Sequence, residues 1–332
     1  MSTSVWSDAL ATPFERTAFD WGPRVEGKVR DNYLLPDGRR ALVATDRISA
    51  FDEPAGTLPL RGQILNLVSA WWFDQTADVA ENHLLSIPDP NVTLALECRP
   101  LPVEMVVRAY LTGTTSTSIW VHYARGEREF CGHRLPPGLR QHDALPEPLL
   151  TPSTKAPKGQ HDVSVSRADI LRERQITTEE FDRIGQLSLA LFRRGQEICE
   201  RRGVILVDTK YEFGKTADGR IVVMDEIHTP DCSRFWDRED YATARRSGRH
   251  PESHDKDFVR RFLADQRELA SAAGAPQLPD PVRVEASRRY LAIAERILGE
   301  RLTLDLEEPV QRIARNLLAE LAPSRLIAAS SS

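Results

Sequence analysis

Two segments that read as β-strands, Val204 to Phe213 and Ile221 to His228, flank Asp218-Gly219 and form the strongest hairpin signal in the chain. With Asp218-Gly219 as a two-residue turn, Ala217 faces Arg220, and counting outward sets Glu212 opposite Asp225. Strand alternation puts Asp208 and Lys210 on the same side, so one face carries Asp208, Lys210, Glu212 and Asp225 at the end of an apolar strand. Like charges face to face repel unless a positive group sits between them. A hard divalent cation such as Mg²⁺ suits the position, because it takes oxygen ligands, keeps waters and completes its shell with substrate phosphates. A solvated hairpin end balanced by Lys210 accounts for the same residues.

Other segments carry weaker signals. Asp231 to Asp237 reads as a compact loop in which the planar fork of Arg234 suits a phosphate or carboxylate, although a surface ion pair with Asp231 or Asp237 is the simpler local account. Gly27-Lys28-Val29-Arg30 offers a glycine and two cations at strand spacing, a cover for phosphates. Gly214-Lys215-Thr216 fails the Walker pattern because Thr209 stands where its first glycine belongs. His250 and His254 have the spacing of a helical zinc pair, but Pro251 argues for a loop pair. Thr45 to Asp52 packs charges and hydroxyls after an apolar strand, suiting a loop at a site mouth or ordinary turn and cap residues. The segment with Lys155, His161 and Asp162 brings a lysine and an acid onto a proline-limited loop, or is a plain surface loop.

The elements that must hold these residues follow from periodicity. Val25 to Met105 alternates short apolar runs with turns, including a hairpin at Pro36-Asp37-Gly38, and is interrupted by one helical stretch from Gln63 to about Val79. Val103 to Tyr110 is again β-rich, and Thr112 to Asp169 is dominated by loops. A helix opened by a Thr177-x-x-Glu180 capping box carries Phe181, Ile184, Leu187 and Leu191 on one face and stops near Gly203. Lys256 to Ala328 reads as helices jointed at prolines, among them Pro276 and Pro309.

The chain of 332 residues is long enough for two ordinary domains, and 41% hydrophobic content excludes a collagen-like or broadly disordered protein. With 44 basic against 49 acidic side chains there is no general attraction to polyphosphate, and the basic run Arg245 to His250 reads as a solvated loop, so no nucleic-acid partner is expected. No apolar segment is long enough to span a bilayer and the start lacks a signal-like pattern, which leaves a cytoplasmic, membrane-free address. Cys98, Cys131, Cys199 and Cys232 are too widely spaced for a C-x-x-C pair and read as buried thiols.

Taken in order, GKVRDNY (27–33), ATDRISAFD (44–52), PVEMVVRAYLTGT (102–114), TPSTKA (151–156), HD (161–162), VDTKYEFG (207–214) and DEIHTPDCSRFW (225–236) closely resemble the phosphoribosylaminoimidazole-succinocarboxamide synthase (SAICAR synthetase) family in its longer form. The resemblance implies an ATP- and Mg²⁺-dependent ligase that joins L-aspartate to the carboxylate of the ribonucleotide CAIR through an acyl phosphate. It implies an α+β fold: an N-terminal antiparallel β-rich domain (1–110), a second α+β domain (111–270) with the nucleotide between them, and C-terminal helices (271–332) packed on the body.

Carried over by position, the resemblance puts Lys28 and Arg30 in a phosphate cover and Glu104 just past the adenine-lining segment. It makes Glu212 and Asp225 Mg²⁺ ligands at ATP. Arg108, Thr114, Lys210 and Arg234 grip the ribonucleotide, and Lys155 and Asp162 stand near the transferred phosphoryl group and a second metal. Asp46, Arg47 and Ser49 fit a loop near the site, with Ser49 taken as a substrate contact. The sequence departs from the family's usual pattern at Thr114 (Ser), Gln160 (Glu) and Arg261 (Asp). A kinase would share the lysine and metal acids, but no His-Arg-Asp catalytic loop is present. A non-catalytic nucleotide-binding module would not need the second cationic set.

Overall fold

The first sheet is antiparallel, three strands in chain order joined to a later hairpin, and its strands are short because turn residues interrupt them. The computed structural model describes residues 3–51, 53–155, 162–173, 176–269 and 278–322; Asp52, Gln160, His161, Pro276 and the terminal serines lie outside these. Helix α1 (Thr3–Ala11) leads into β1 (Arg24–Glu26), β2 (Arg30–Leu34), β3 (Arg39–Ala44), β4 (Arg47–Ala50) and β5 (Glu53–Thr57). Then come α2 (Arg61–Gln75), β6 (Leu84–Asp89), β7 (Val92–Leu96) and β8 (Arg99–Tyr110). Five antiparallel strands pair in the order β1-β2-β3-β7-β6, while β4 and β5 form a separate hairpin. The β2–β3 connection closes at Pro36-Asp37-Gly38 as read, with Gly38 at φ 82°.

The second sheet carries the chemistry. Helix α3 (Ile119–Ala124), strands β9 (Glu129–Phe130), β10 (His133–Arg134), β11 (Ala144–Leu150) and β12 (Ser153–Thr154), and helix α4 (Arg167–Arg172) give the expected loop region more structure than its composition signalled. They are followed by α5 (Thr178–Arg201), β13 (Val204–Lys215), β14 (Ile221–Met224), β15 (Ser233–Asp237) and the helices α6 (Arg238–Ser247), α7 (Asp257–Leu269), α8 (Asp280–Leu298) and α9 (Pro309–Leu321). The sheet order is β11-β8-β13-β14, with β12 also on β8 and β15 also on β13. Strand β8 thus belongs to the second sheet, and the expected boundary at residue 110 falls at its far end. One edge of β13 is shared: β15 pairs with its first half and β14 with its last residues, so the chain from Asp225 to Cys232 loops out between them.

The capping box of α5 forms as read: the Thr177 side chain accepts from the Glu180 N–H at 3.2 Å and Glu180 accepts from the Thr177 N–H at 2.9 Å. Its apolar face, with Phe181, Ile184, Leu187 and Leu191, is buried in the main core beside β8 and β13. A second core of Tyr33, Val43, Leu94, Ile313 and Leu317 lies where α9 covers the first sheet. Three local readings are corrected. Arg245 to Ser247 is the last turn of α6, not loop, because Arg245 is anchored to the Gln141 carbonyl (2.9 Å) and to Asp143. Arg47 to Ala50 is a strand hydrogen-bonded to β5. Gly27 to Val29 turn between β1 and β2, closed by Gly27 N–H to the Arg30 carbonyl at 2.8 Å, so of the two cations at strand spacing only Arg30 stands on a strand, as the first residue of β2.

Candidate active site

The hairpin predicted from Asp218-Gly219 exists, but its register is one residue from the expected one. Thr216 N–H donates to the Arg220 carbonyl at 3.0 Å, so the loop holds three residues, Ala217 to Gly219, with Gly219 at φ 87°. Glu212 therefore stands opposite Met224, not Asp225. A single residue of slip changes every partner along a ladder. Asp225, just past the strand, turns away at φ 70° and pairs with Arg30, which also holds Glu226 at 2.9 Å.

A like-charge pair does form across the other edge of β13, where Glu212 lies opposite Glu104 of β8. Lys210 bridges them, 2.8 Å from Glu104 and 2.5 Å from Glu212, and Lys155 adds a second ammonium on Glu212. Burial works against charge here, but Lys210 and Lys155 outweigh it and hold the Glu212 carboxyl well below its usual range. Burial likewise opposes the Lys210 charge, yet Glu212, Glu104 and Asp225 keep it firmly protonated. Burial raises Glu104.

Two residues along, Arg108 of β8 and Arg234 of β15 both face Asp208 of β13, so three neighbouring strands set a cation–anion–cation row. Arg108 is 3.7 Å from Asp208, and Arg234 pairs with Asp208 and, at 3.6 Å, with Asp257 at the start of α7. The favoured local reading of Arg234 is overturned: its segment is strand β15, Asp231 is taken by Arg61 (2.9 Å) and Lys256 (2.8 Å), and Asp237 caps α6. Arg108 is steadied by Thr151 (2.9 Å) and the Thr117 carbonyl (3.2 Å).

This face opens on a cavity of about 440 Å³ lined by Glu104, Arg108, Thr114, Asp162, Lys210 and Arg234, among others. The 114–118 loop forms its rim, and Gly113, at φ 108°, permits the approach: a Cβ there would lie 2.4 Å from that of Ser118. Six of the fourteen residues expected at or near the site thus line one cavity, Glu212 and Lys155 adjoin them through Lys210, and Arg30 and Asp225 meet at the join of the two sheets. Lys28 is exposed at the tip of the β1–β2 turn. Ser49 lies on β4 facing Pro54 outside the cavity lining, and its neighbour Phe51 lines it instead. Asp46 and Arg47 brace the backbone: Asp46 accepts from Gly62 N–H at 3.0 Å, and Arg47 pairs with Asp31 at 3.0 Å. Sequence reasoning missed Ser116, Ser164, Cys232 and Arg260 as lining residues. The run of charges at Asp255 to Arg261 was the signal for Arg260.

His83, His142 and His228 are buried, and burial pushes each imidazole from 6.5 down to about 3. The unfolded chain takes up these protons near pH 6.5 while the native state does not, so stability is lost as pH falls through that window. His142→Gln is expected to show a shallower loss of urea midpoint between pH 6.5 and 4.5 than the parent; an unchanged slope would exclude His142 as a contributor.

The family model described as SAICAR synthetase matches residues 23–275. A phosphoribosylaminoimidazole-succinocarboxamide synthase of Legionella pneumophila (strain Lens) is 44% identical over 289 residues, covering 87% of this chain and 92% of that protein. The chloroplastic synthase of Arabidopsis thaliana is 41% identical over 304 residues, 91% of this chain and 73% of its own. Among solved structures, the SAICAR synthase from Saccharomyces cerevisiae complexed with SAICAR superposes with a TM-score of 0.72 at 28% identity, covering 87% of this chain and 99% of that one.

Proposed function

Because the chain belongs to the SAICAR synthetase family, we propose that the cavity at Arg108, Lys210 and Arg234 holds its ribonucleotide and that the carboxylates of Glu212 and Asp225, each held by its own cations, face its nucleotide phosphates. The enzyme is the ATP-dependent ligase of purine biosynthesis that joins L-aspartate to CAIR, giving SAICAR, ADP and phosphate. The observation that carries the site assignment is Lys210, placed between Glu104 and Glu212 beside the Arg108–Asp208–Arg234 row.

A carboxylate resists attack by an amine because its oxygen is a poor leaving group. The CAIR carboxylate oxygen takes the γ-phosphoryl group and releases ADP. The aspartate amine then attacks the acyl carbon, loses its proton and displaces phosphate. Such transfer asks the protein mainly for positioning and for cations around the phosphates. Arg108 and Arg234 supply planar forks for the ribonucleotide phosphate, and Thr114 a hydroxyl at the rim. Lys210 and Lys155 present ammonium groups beside the reacting oxygens, Lys28 and Arg30 cover the triphosphate, and Asp162 lies on the cavity wall.

Glu212 and Asp225 fit Mg²⁺ in donor chemistry, since this ion takes one or two carboxylates and leaves its remaining positions to waters and phosphates. Among the described residues no group of three or more His, Cys, Asp or Glu could hold a metal ion. When bound, Mg²⁺ neutralises charge on the transferring phosphate. We place the enzyme in the cytoplasm, with the two sheets, divided near Cys98, as its nucleotide-binding halves; no helix among the described residues is long and apolar enough to cross a membrane.

ADP release by purified protein with Mg-ATP is expected to need both CAIR and L-aspartate and to fail when another amino acid replaces aspartate. Equal rates on omission of either substrate would refute the assignment.

A further inference from the structure

We infer that Tyr211 and His228 are positioning residues for the acids of the nucleotide site, acting on them from the back of the second sheet. This rests on the site reading proposed above. Asp225 (φ 70°) and His228 (φ 49°) both occupy the left-handed region, which residues other than glycine adopt only where their surroundings enforce it. Between them lies Glu226, so the strained stretch carries both acids that Arg30 holds.

Strand alternation turns Tyr211 away from its neighbours Lys210 and Glu212 and into the main core. There its hydroxyl meets Nε2 of His228 at 2.5 Å. The imidazole is enclosed on its other sides. Trp72 of α2 stands edge-on at 4.6 Å, and α5 approaches so closely that a Cβ on Gly195 would lie 2.6 Å from His228 Cε1. The same stretch is tied by Ile227 N–H to the Ser69 hydroxyl of α2 at 3.2 Å, and by the Thr229 hydroxyl to Glu226.

Packing alone requires neither a hydroxyl nor an imidazole at this depth, and Nδ1 of His228 is buried without a hydrogen-bond partner among the described residues. What the polar pair adds is direction. A hydrogen bond fixes where the chain returns after Asp225, and hence where its carboxylate and that of Glu226 point.

Tyr211→Phe removes one hydroxyl oxygen and little volume. Calorimetry with Mg-ADP, together with steady-state kinetics, tests it. The dissociation constant for Mg-ADP is expected to rise, and kcat/KM for ATP to fall, about tenfold. KM for CAIR is expected to stay within about twofold of the parent, a split that general loosening of the core would not give. Parental Mg-ADP affinity, or equal losses toward ATP and CAIR, would overturn the inference. If Tyr211→Phe fails to fold, Ser69→Ala, which frees Ile227 from α2, must weaken Mg-ADP binding in the same direction, and parental affinity there overturns it equally. Failure of the parent to turn over CAIR and aspartate would instead sink the site reading, while Mg-ADP binding by the parent and the variants would still decide the role of Tyr211 and His228.

Discussion

Glu212→Gln is expected to lower kcat by roughly 10²- to 10³-fold, the scale seen when one preorganised electrostatic contact to a developing charge is lost. The substitution keeps the shape of the side chain and removes its charge. Lys155 then loses its carboxylate partner and Lys210 keeps Glu104 alone, so on the proposed site reading neither ammonium group stays where the phosphoryl group would be transferred. On the same proposed reading the variant also gives up a charged carboxylate facing the nucleotide's metal, so part of the activity should return at high Mg²⁺ concentration. Because Glu212 is held below its usual range in the native state, it stabilises the fold above about pH 4.5, its unfolded value. That contribution is lost as pH falls, so the parent should lose more stability on acidification than Glu212→Gln does. Rates titrated with Mg²⁺ at saturating CAIR and aspartate provide the check, and parental kinetics would remove Glu212 from the site.

Arg312→Met is expected to cost about 3–5 kcal/mol of stability while sparing turnover by the folded fraction. The guanidinium is wholly buried, 2.9 Å from the equally buried Asp89, and it also binds Asn91 at 2.5 Å. Methionine fills much of the volume but leaves the Asp89 charge unpaired between α9 and the first sheet, where, among the described residues, Asn91 N–H and Asn316 still donate to it. Adding Asp89→Asn should recover part of the loss, giving a coupling energy between the two positions. None of these residues lines the cavity, so kcat at saturating substrates should be retained. Urea unfolding of both variants measures the effect, and a loss below about 1 kcal/mol would mean that α9 can lift from the sheet and let water reach Asp89.

The hairpin around Gly219 shows where reading the chain succeeds and where it stops. That two strands meet there follows from local composition. Whether the loop takes two residues or three depends on Thr216 bonding to Arg220, a choice that composition leaves open and that moves Glu212 from Asp225 to Met224. Glu104 is 108 residues from Glu212 along the chain and meets it only because β8 and β13 pair. Arg234 likewise finds Asp208 through strand pairing, not the nearer acids that local reasoning offered.

What the chain determined by itself was the chemistry of its segments: a lysine and acids on one face of an apolar strand, cations in separate loops, capped helices and a resemblance spread over residues 27–236. Side-chain type and short-range periodicity are properties of neighbours, so they can be read in order. Which carboxylate faces which cation was decided by strand register and by the seating of the first sheet against β14. Those contacts join residues far apart in the chain, and they form only when burial of the shared core repays the entropy of closing the long loops between them.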